Sequence, residues 1–231
     1  MRFYPSDASR YLLDPADVDG ESLPAALGAY KGPLTQIVSW SRDFLCHPHP
    51  DLGREGSVCP YTEPSLVRNL YWLTIYPGPS PTMGEVREAV MAYREWFLEL
   101  APVAGRDSRY KAILILFPDL AADVAPDIID TIQAALKSEF IPKGLMIGQF
   151  HMVSDEPGLR NPNFRPLRTS VPLLAIRHMV SSDFPFLKKK PEWVSSYIEQ
   201  FGLDLPRRIR AEVEETARAY NLPLPETQNC A

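Results

Sequence analysis

The 231-residue sequence predicts an α+β fold in which a single mixed sheet of about four to six strands is flanked by helices. Apolar runs of strand length alternate with segments whose apolar residues recur at helical spacing. The chain is 45% hydrophobic, which is enough to form a sizeable core, and its 24 prolines cluster in loops between these segments. These observations favour a layered structure with proline-rich loops.

The first half of the chain predicts a βαβα order. Residues 1–35 are polar, acidic and proline-containing, which indicates an N-terminal arm. A strand is expected within residues 66–76, before a Pro-Gly pair, and residues 80–102 then show helical spacing with Ser80 or Thr82 as the N-cap candidate. A buried strand over 109–119 and a second helix over 124–140 follow.

Two more strands and two helices complete the prediction. The segments "GLMIGQFHM" and "SVPLLAIRHMV" are apolar and of strand length, and "PEWVSSYIEQFG" and "PRRIRAEVEETARAYN" read as helices. We therefore expect one α+β domain over residues 36–220 and a C-terminal tail over 221–231.

Charge and cysteine content restrict the class of function. A net charge of -5 argues against a nucleic-acid-binding protein, and no apolar run is long enough to cross a membrane. Three cysteines, with Cys230 in the polar tail, argue against a secreted disulfide scaffold. We expect a soluble, cytoplasmic protein that binds a small-molecule substrate and neither nucleic acid nor membrane, and the sequence leaves a homodimer open.

The segment "CHPHPDLGREGSVCP", from Cys46 to Pro60, concentrates soft ligands. Cys46, His47, His49 and Cys59 have the side chains that bind zinc, although their spacing differs from that of zinc fingers. Zinc is therefore one alternative, and a stiff loop directed by its prolines is the other.

The remaining histidines, His151 and His178, each end a predicted strand near an arginine-rich loop. Arginines bind carboxylates and phosphates in a bidentate manner, so the loop could hold an anionic ligand. An imidazole ligand, an apolar floor from "VPLLAI" and a rim of arginines would together suit non-covalently bound haem, which is an apolar disc with two carboxylates. The arginines are Arg160, Arg165, Arg168 and Arg177.

Common catalytic and nucleotide-binding motifs are absent from the sequence. It has no G-x-G-x-x-G, no P-loop, no G-x-S-x-G and no H-E-x-x-H. The first alternative function is a zinc-dependent or Cys-His hydrolase built from Cys46, His47, His49 and Cys59. A Cys-His hydrolase that uses Cys59 with His151 or His178 stays open on residue types alone, and so does a non-catalytic binding module.

The long motifs resemble two families. "FLCHPHPDLGREGSVCPY", "GLMIGQFH", "PGLRNPNFRPLR" and "VPLLAIRHMV", spread from about Phe44 to Leu187, resemble an uncharacterised domain-of-unknown-function family of bacterial and fungal proteins. More distantly, the order of motifs is similar to the YqcI/YcgG family, which includes haem proteins that hydroxylate nitrogen in amino-acid-derived substrates. The matching positions are Cys59 with Pro60, Gly148, His151, Arg165, Arg168, Pro172 and His178.

The more distant resemblance implies a haem-dependent oxidoreductase, an oxygenase that acts on a small nitrogen-containing metabolite in specialised biosynthesis. His178 is then the first candidate for the iron ligand and His151 the second, with haem b as the cofactor. The "CHPHPDLGR" segment has no clear counterpart in that family, so His47 and His49 are our own candidates for catalytic groups on the distal side, with a metal ligand or a scaffold role as the alternatives. Cys59, Arg165, Arg168 and Arg177 would bind the cofactor or the substrate carboxylate.

Overall fold

The computed structural model describes residues 1–20 and 23–224. Within these ranges the chain forms a two-stranded sheet, a four-stranded mixed sheet and covering helices, which confirms the predicted α+β class. The strands are β1 Arg2–Tyr4, β2 Asp7–Leu12, β3 Tyr71–Ile75, β4 Ala112–Leu116, β5 Leu145–Phe150 and β6 Leu173–His178. The α-helices are α1 Pro15–Asp19, α2 Lys31–Trp40, α3 Thr62–Val67, α4 Met83–Glu99, α5 Thr131–Phe140, α6 Pro191–Phe201 and α7 Arg207–Ala219.

The four-stranded sheet has the order β3-β4-β6-β5. Strands β3 and β4 are parallel, as expected when the helix α4 connects them, and β6 is antiparallel to β4. Leu116, at the end of β4, lies opposite Leu173, whereas Ala112, at its start, lies opposite Arg177. Leu13 exchanges two backbone hydrogen bonds of 2.8 Å with Leu73, so the segment after β2 covers the outer edge of β3.

The helix α4 begins where its capping residues predict. Thr82 is the N-cap: its hydroxyl accepts a hydrogen bond from the Glu85 backbone, and the Glu85 carboxylate accepts one from the Thr82 backbone. This reciprocal capping box satisfies two backbone donors at the first turn. Of the two candidates that the sequence leaves open, Ser80 and Thr82, the structure selects Thr82.

The strand expected within residues 66–76 is shorter than the apolar run that predicts it. Leu66 and Val67 end α3, Asn69 then adopts a left-handed backbone conformation with φ 54°, and β3 starts at Tyr71. The left-handed residue turns the chain from helix into strand, and asparagine tolerates this conformation better than most residues. A helix and a strand thus share one apolar run.

The chain divides into two compact units. The larger comprises Met1–Leu136 and Ile147–Arg177, and the smaller comprises Lys137–Met146 and His178–Ala231, of which residues up to 224 are described. In the larger unit the core packs α1 and α2 on one face of the sheet; it includes Leu13, Val18, Leu34, Ile37, Tyr71, Leu73, Leu116 and Leu173. In the smaller unit a separate core surrounds α6 and α7; it includes Met146, Phe184, Leu187, Trp193, Tyr197, Val213 and Ala217.

In the described part of the chain no helix is both long enough and apolar enough to cross a bilayer. The predicted C-terminal tail falls largely on residues 225–231, and Cys230 therefore lies outside the described residues.

Candidate functional site

The segment from Cys46 to Pro60, called the cysteine–histidine loop below, follows α2 through a π-helical turn at Ser41–Leu45. Its two ends pair with each other. The backbone N–H of Val58 donates to His47 O at 2.9 Å, and that of Cys59 donates to Leu45 O at 2.8 Å. The loop is therefore a short antiparallel hairpin anchored at the end of α2.

His47 and His49 lie in different environments within this loop. His47 is exposed, and its Nδ1–H donates to the carbonyl oxygen of Arg42 at 2.9 Å. His49 instead accepts the backbone N–H of Asp51 on Nδ1 at 3.1 Å, so its neutral ring carries the proton on Nε2. The His49 ring also stacks on Phe164, with ring centroids 4.7 Å apart.

Residues 151–172, called the arginine loop below, dock on the cysteine–histidine loop. Besides the His49–Phe164 stack, Nδ2 of Asn161 donates to the carbonyl oxygen of Asp51 at 2.9 Å. Gly53 approaches Arg160 so closely that a Cβ added at Gly53 would lie 2.8 Å from the Cβ of Arg160. The fold thus brings together the two loops that the sequence motifs single out.

Substitution of Gly53 tests this docking. Gly53 has φ 73°, so Gly53→Ala adds left-handed backbone strain of about 1 kcal/mol and a clash with Arg160, and we expect a total loss of about 2–3 kcal/mol in the free energy of unfolding. Gly56→Ala is the matched control, since Gly56 has φ 86° but its added Cβ meets only the Arg54 side chain at 3.5 Å. Urea unfolding measures both variants. Equal losses of unfolding free energy in Gly53→Ala and Gly56→Ala would contradict close docking of the two loops at Gly53.

Arg165 and Arg168 converge on one carboxylate within the arginine loop. Their guanidinium groups lie 3.8 Å and 3.0 Å from the Asp155 carboxylate. Arg168 also donates from Nε to the carbonyl oxygen of Ser154 at 2.9 Å. Arg177 is not part of the arginine loop. It is the fifth residue of β6 and lies opposite the first residue of β4.

His151 is the most enclosed of the predicted ligands, with 2% of its surface exposed. Its Nε2–H donates to the Asp130 carboxylate, with distances of 3.0 and 3.2 Å to the two oxygens. The opposite nitrogen, Nδ1, is buried and has no hydrogen-bond partner among the described residues. Because buried polar atoms are nearly always paired, this lone pair marks a position where a ligand or proton could bind.

A second unpaired polar atom lies in the same loop. The backbone N–H of His151 donates to Leu167 O at 3.3 Å, which sets His151 beside the stretch that continues to Thr169. The Thr169 hydroxyl is buried and also lacks a partner within the described residues. The arginine loop therefore encloses polar groups that it does not itself satisfy.

The two histidines that the sequence offers as iron ligands, His178 first and His151 second, belong to different units. His151 follows β5 in the larger unit, together with His47, His49, Arg165 and Arg168. His178 is the last residue of β6, is partly buried, and falls in the smaller unit. Only His151 shares a compact unit with the other predicted site residues.

Cys46 and Cys59 are free, half-buried thiols. Burial raises the pKa of the Cys46 thiol to about 11, with further contributions from the charges of Glu63 and Cys59. A protonated thiol is a weak nucleophile, so this environment does not favour Cys46 as the nucleophile of a hydrolase. Among residues 1–20 and 23–224, no three His, Cys, Asp or Glu side chains are grouped so as to hold a metal ion.

The sequence does not single out Asp130, which holds His151. Asp130 ends a π-helical turn at Pro126–Asp130, immediately before α5 and 21 positions from His151. Acidic residues are common near helix starts for electrostatic reasons, so Asp130 carries no distinctive signal. Only the fold pairs these two side chains.

Comparison with known proteins gives a family but no activity. The model of a domain of unknown function (DUF6875) matches residues 34–212, which is most of the chain and confirms the resemblance to an uncharacterised family. No curated protein and no solved structure matches the chain. The match covers the cysteine–histidine loop, the arginine loop, His151 and His178. By its sequence and over this range, the chain belongs to the DUF6875 family of domains of unknown function.

Proposed function

We propose that the protein is a haem-dependent oxidoreductase that acts on a small nitrogen-containing metabolite, with His151 as the iron ligand. The observation that carries the proposal is the state of this imidazole: buried, held through one nitrogen by a carboxylate, and unpartnered at the other. Histidines that bind metals characteristically donate their second N–H to a carboxylate or a carbonyl group.

His151 suits this role better than His178 for two reasons. The Asp130 carboxylate orients the His151 ring and makes it a stronger electron donor. A single histidine can hold haem iron, because the porphyrin supplies four of the iron ligands. His151 also shares its unit and its loop with the candidate carboxylate-binding arginines.

Arg165 and Arg168 are proposed to bind haem propionates or a substrate carboxylate. Their present partner, Asp155, is 86% exposed, and the arginine side chains are 29% and 50% exposed. Exposed ion pairs contribute about 0–1 kcal/mol, so exchanging Asp155 for another carboxylate costs little. The hydrogen bond of Arg168 to the Ser154 carbonyl would hold its guanidinium at the turn in which Ser154 N donates to His151 O during such an exchange.

His49 is the better placed of the two proposed catalytic histidines. Its neutral ring carries a proton on Nε2 and packs against Phe164 of the arginine loop, whereas His47 is exposed. Bound haem would supply the capacity to activate dioxygen for oxidation of a substrate nitrogen. His49 would donate a hydrogen bond from its Nε2–H, and Asp130 would keep the His151 imidazole oriented.

Titration of haem into the purified full-length protein tests the proposal. We expect a Soret band that saturates at one haem per chain, because one histidine is proposed to hold one iron. His178→Ala should leave the saturation point unchanged and should change the haem affinity by no more than about twofold. The reason is that His178 is not proposed to hold the iron, so its loss should cost less binding free energy than one hydrogen bond contributes. Loss of the Soret band in His178→Ala would show that His178 is the iron ligand. Absence of the band in the wild type would overturn the haem assignment.

A further inference from the structure

The two ends of the cysteine–histidine loop bring the backbones of Cys46 and Cys59 close together. The carbonyl oxygens of Leu45 and His47, which flank Cys46, accept the backbone N–H groups of Cys59 and Val58 at 2.8 and 2.9 Å. The Leu45 carbonyl belongs to the peptide group that joins Leu45 to Cys46, so its hydrogen bond to Cys59 leaves the two cysteine Cα atoms within about 7 Å of each other. Disulfide-bonded cysteines have Cα atoms about 4.4–6.8 Å apart, a range that this backbone can reach.

The electrostatics of the loop support the proximity that the backbone hydrogen bonds indicate. Burial raises the pKa of Cys46, and the charges of Glu63 and of Cys59 raise it further. Burial also raises the pKa of Tyr71, whose hydroxyl lies 2.6 Å from the Ser41 hydroxyl, and negative charge on Cys59 or Cys46 would raise it further.

We propose that Cys46 and Cys59 form a reversible intramolecular disulfide that fixes the cysteine–histidine loop. A small-molecule disulfide such as oxidised glutathione is the oxidant: its S–S bond breaks, the Cys46–Cys59 S–S bond forms, and two molecules of glutathione thiol leave with the two protons. Two electrons pass from the protein thiols to the reagent. This inference does not rest on the proposed haem function.

The disulfide would act on the part of the site that His49 occupies. The hairpin between the cysteines contains His47 and His49, and His49 makes the stacking contact with Phe164. Closing this short loop covalently removes conformations from the unfolded chain and holds the two strands of the hairpin in register. Oxidation therefore sets how rigidly His49 is held.

Peptide mapping of the full-length protein tests the proposal directly. Trypsin cleaves after arginine and lysine, so Cys46, Cys59 and Cys230 fall in three separate peptides, spanning residues 43–54, 55–68 and 219–231. After incubation of the folded protein with oxidised glutathione, the unreduced digest should contain the 43–54 peptide linked to the 55–68 peptide. The linkage should disappear on reduction, and the oxidised protein should melt about 5–10 °C higher than the reduced protein.

Three variants separate this reaction from general thiol oxidation. Cys230→Ser should form the linked peptide as the wild type does, whereas Cys46→Ser and Cys59→Ser should carry glutathione on the remaining loop cysteine. Linkage of either loop cysteine to Cys230 or to a second chain would overturn the proposal. So would separate glutathione adducts on both loop cysteines of the wild type without the linked peptide.

Discussion

Replacing His151 with alanine is expected to abolish stoichiometric haem binding, because no other imidazole of the larger unit is both buried and held by a carboxylate among the described residues. Asp130→Asn keeps a hydrogen-bond acceptor but removes its charge, and should weaken haem affinity by about 10–100-fold. Haem titration monitored by absorption measures both changes. The graded order wild type, Asp130→Asn, His151→Ala is the expected result.

A structural role for His151 would produce a different pattern. Asp130 is 46% exposed, so loss of its partner leaves a solvated carboxylate and should not unfold the protein. Far-UV circular dichroism and the melting temperature of each variant report on folding. If His151→Ala stays folded and binds haem with wild-type affinity, His151 is not the iron ligand. If Asp130→Asn binds haem as tightly as the wild type, the Asp130 carboxylate does not strengthen the binding of iron by His151.

Replacing Lys111 with methionine is expected to destabilise the fold and to change its pH dependence. Lys111 is 1% exposed and donates from Nζ to the carbonyl oxygens of Phe97 and Leu100, at 2.8 and 2.7 Å, where α4 ends. Lysine near a helix C-terminus satisfies carbonyl groups that the helix leaves unpaired. Lys111→Met removes both of these hydrogen bonds, and should cost about 1–3 kcal/mol at neutral pH.

The pH dependence follows from the buried ammonium group. Burial lowers the pKa of Lys111 from 10.5 to about 8, so between these values the unfolded chain holds more protons than the folded one. Stability contributed by Lys111 therefore rises with pH in this window, by about 1 kcal/mol from pH 8 to pH 9. The raised pKa of Cys46 lowers the free energy of unfolding as the pH rises above 9, which is the opposite direction. This contribution is common to the wild type and Lys111→Met, so the difference between these two proteins isolates the effect of Lys111.

Urea unfolding of wild type and Lys111→Met at several pH values isolates this contribution. The difference in unfolding free energy between the two proteins should grow as the pH rises from 7 to 9. Lys31→Met, at an exposed lysine, is the control and should shift stability equally at each pH. A wild-type minus Lys111→Met difference that is constant with pH would show that Lys111 has an ordinary pKa in the folded protein.

Local sequence signals predict most elements of the fold. The helix α4 combines a capping box at Thr82 and Glu85 with apolar residues at helical spacing, and both signals act within a few positions. The strands β4, β5 and β6 are apolar runs of the expected length. The start of β3 is less predictable, because Leu66 and Val67 are apolar in a helix for the same reason that they would be in a strand.

The candidate site depends on contacts that no local pattern contains. His49 and Phe164 are distant in sequence, and their stacking requires two loops to dock. The direction of β6 matters as well: because β6 is antiparallel to β4, Arg177 lies opposite the start of β4, while the arginine loop enters at the other end of β6. Residue types in the sequence suggest one arginine cluster, whereas strand direction separates Arg177 from Arg165 and Arg168.

The measurement that tests the central claim most directly is the absorption spectrum of the full-length protein purified from cells supplied with a haem precursor, together with its iron content. We predict a Soret band and one iron per chain, both lost in His151→Ala protein that remains folded. A colourless wild-type protein that contains no iron, and that gains no Soret band when haem is added, would contradict the claim.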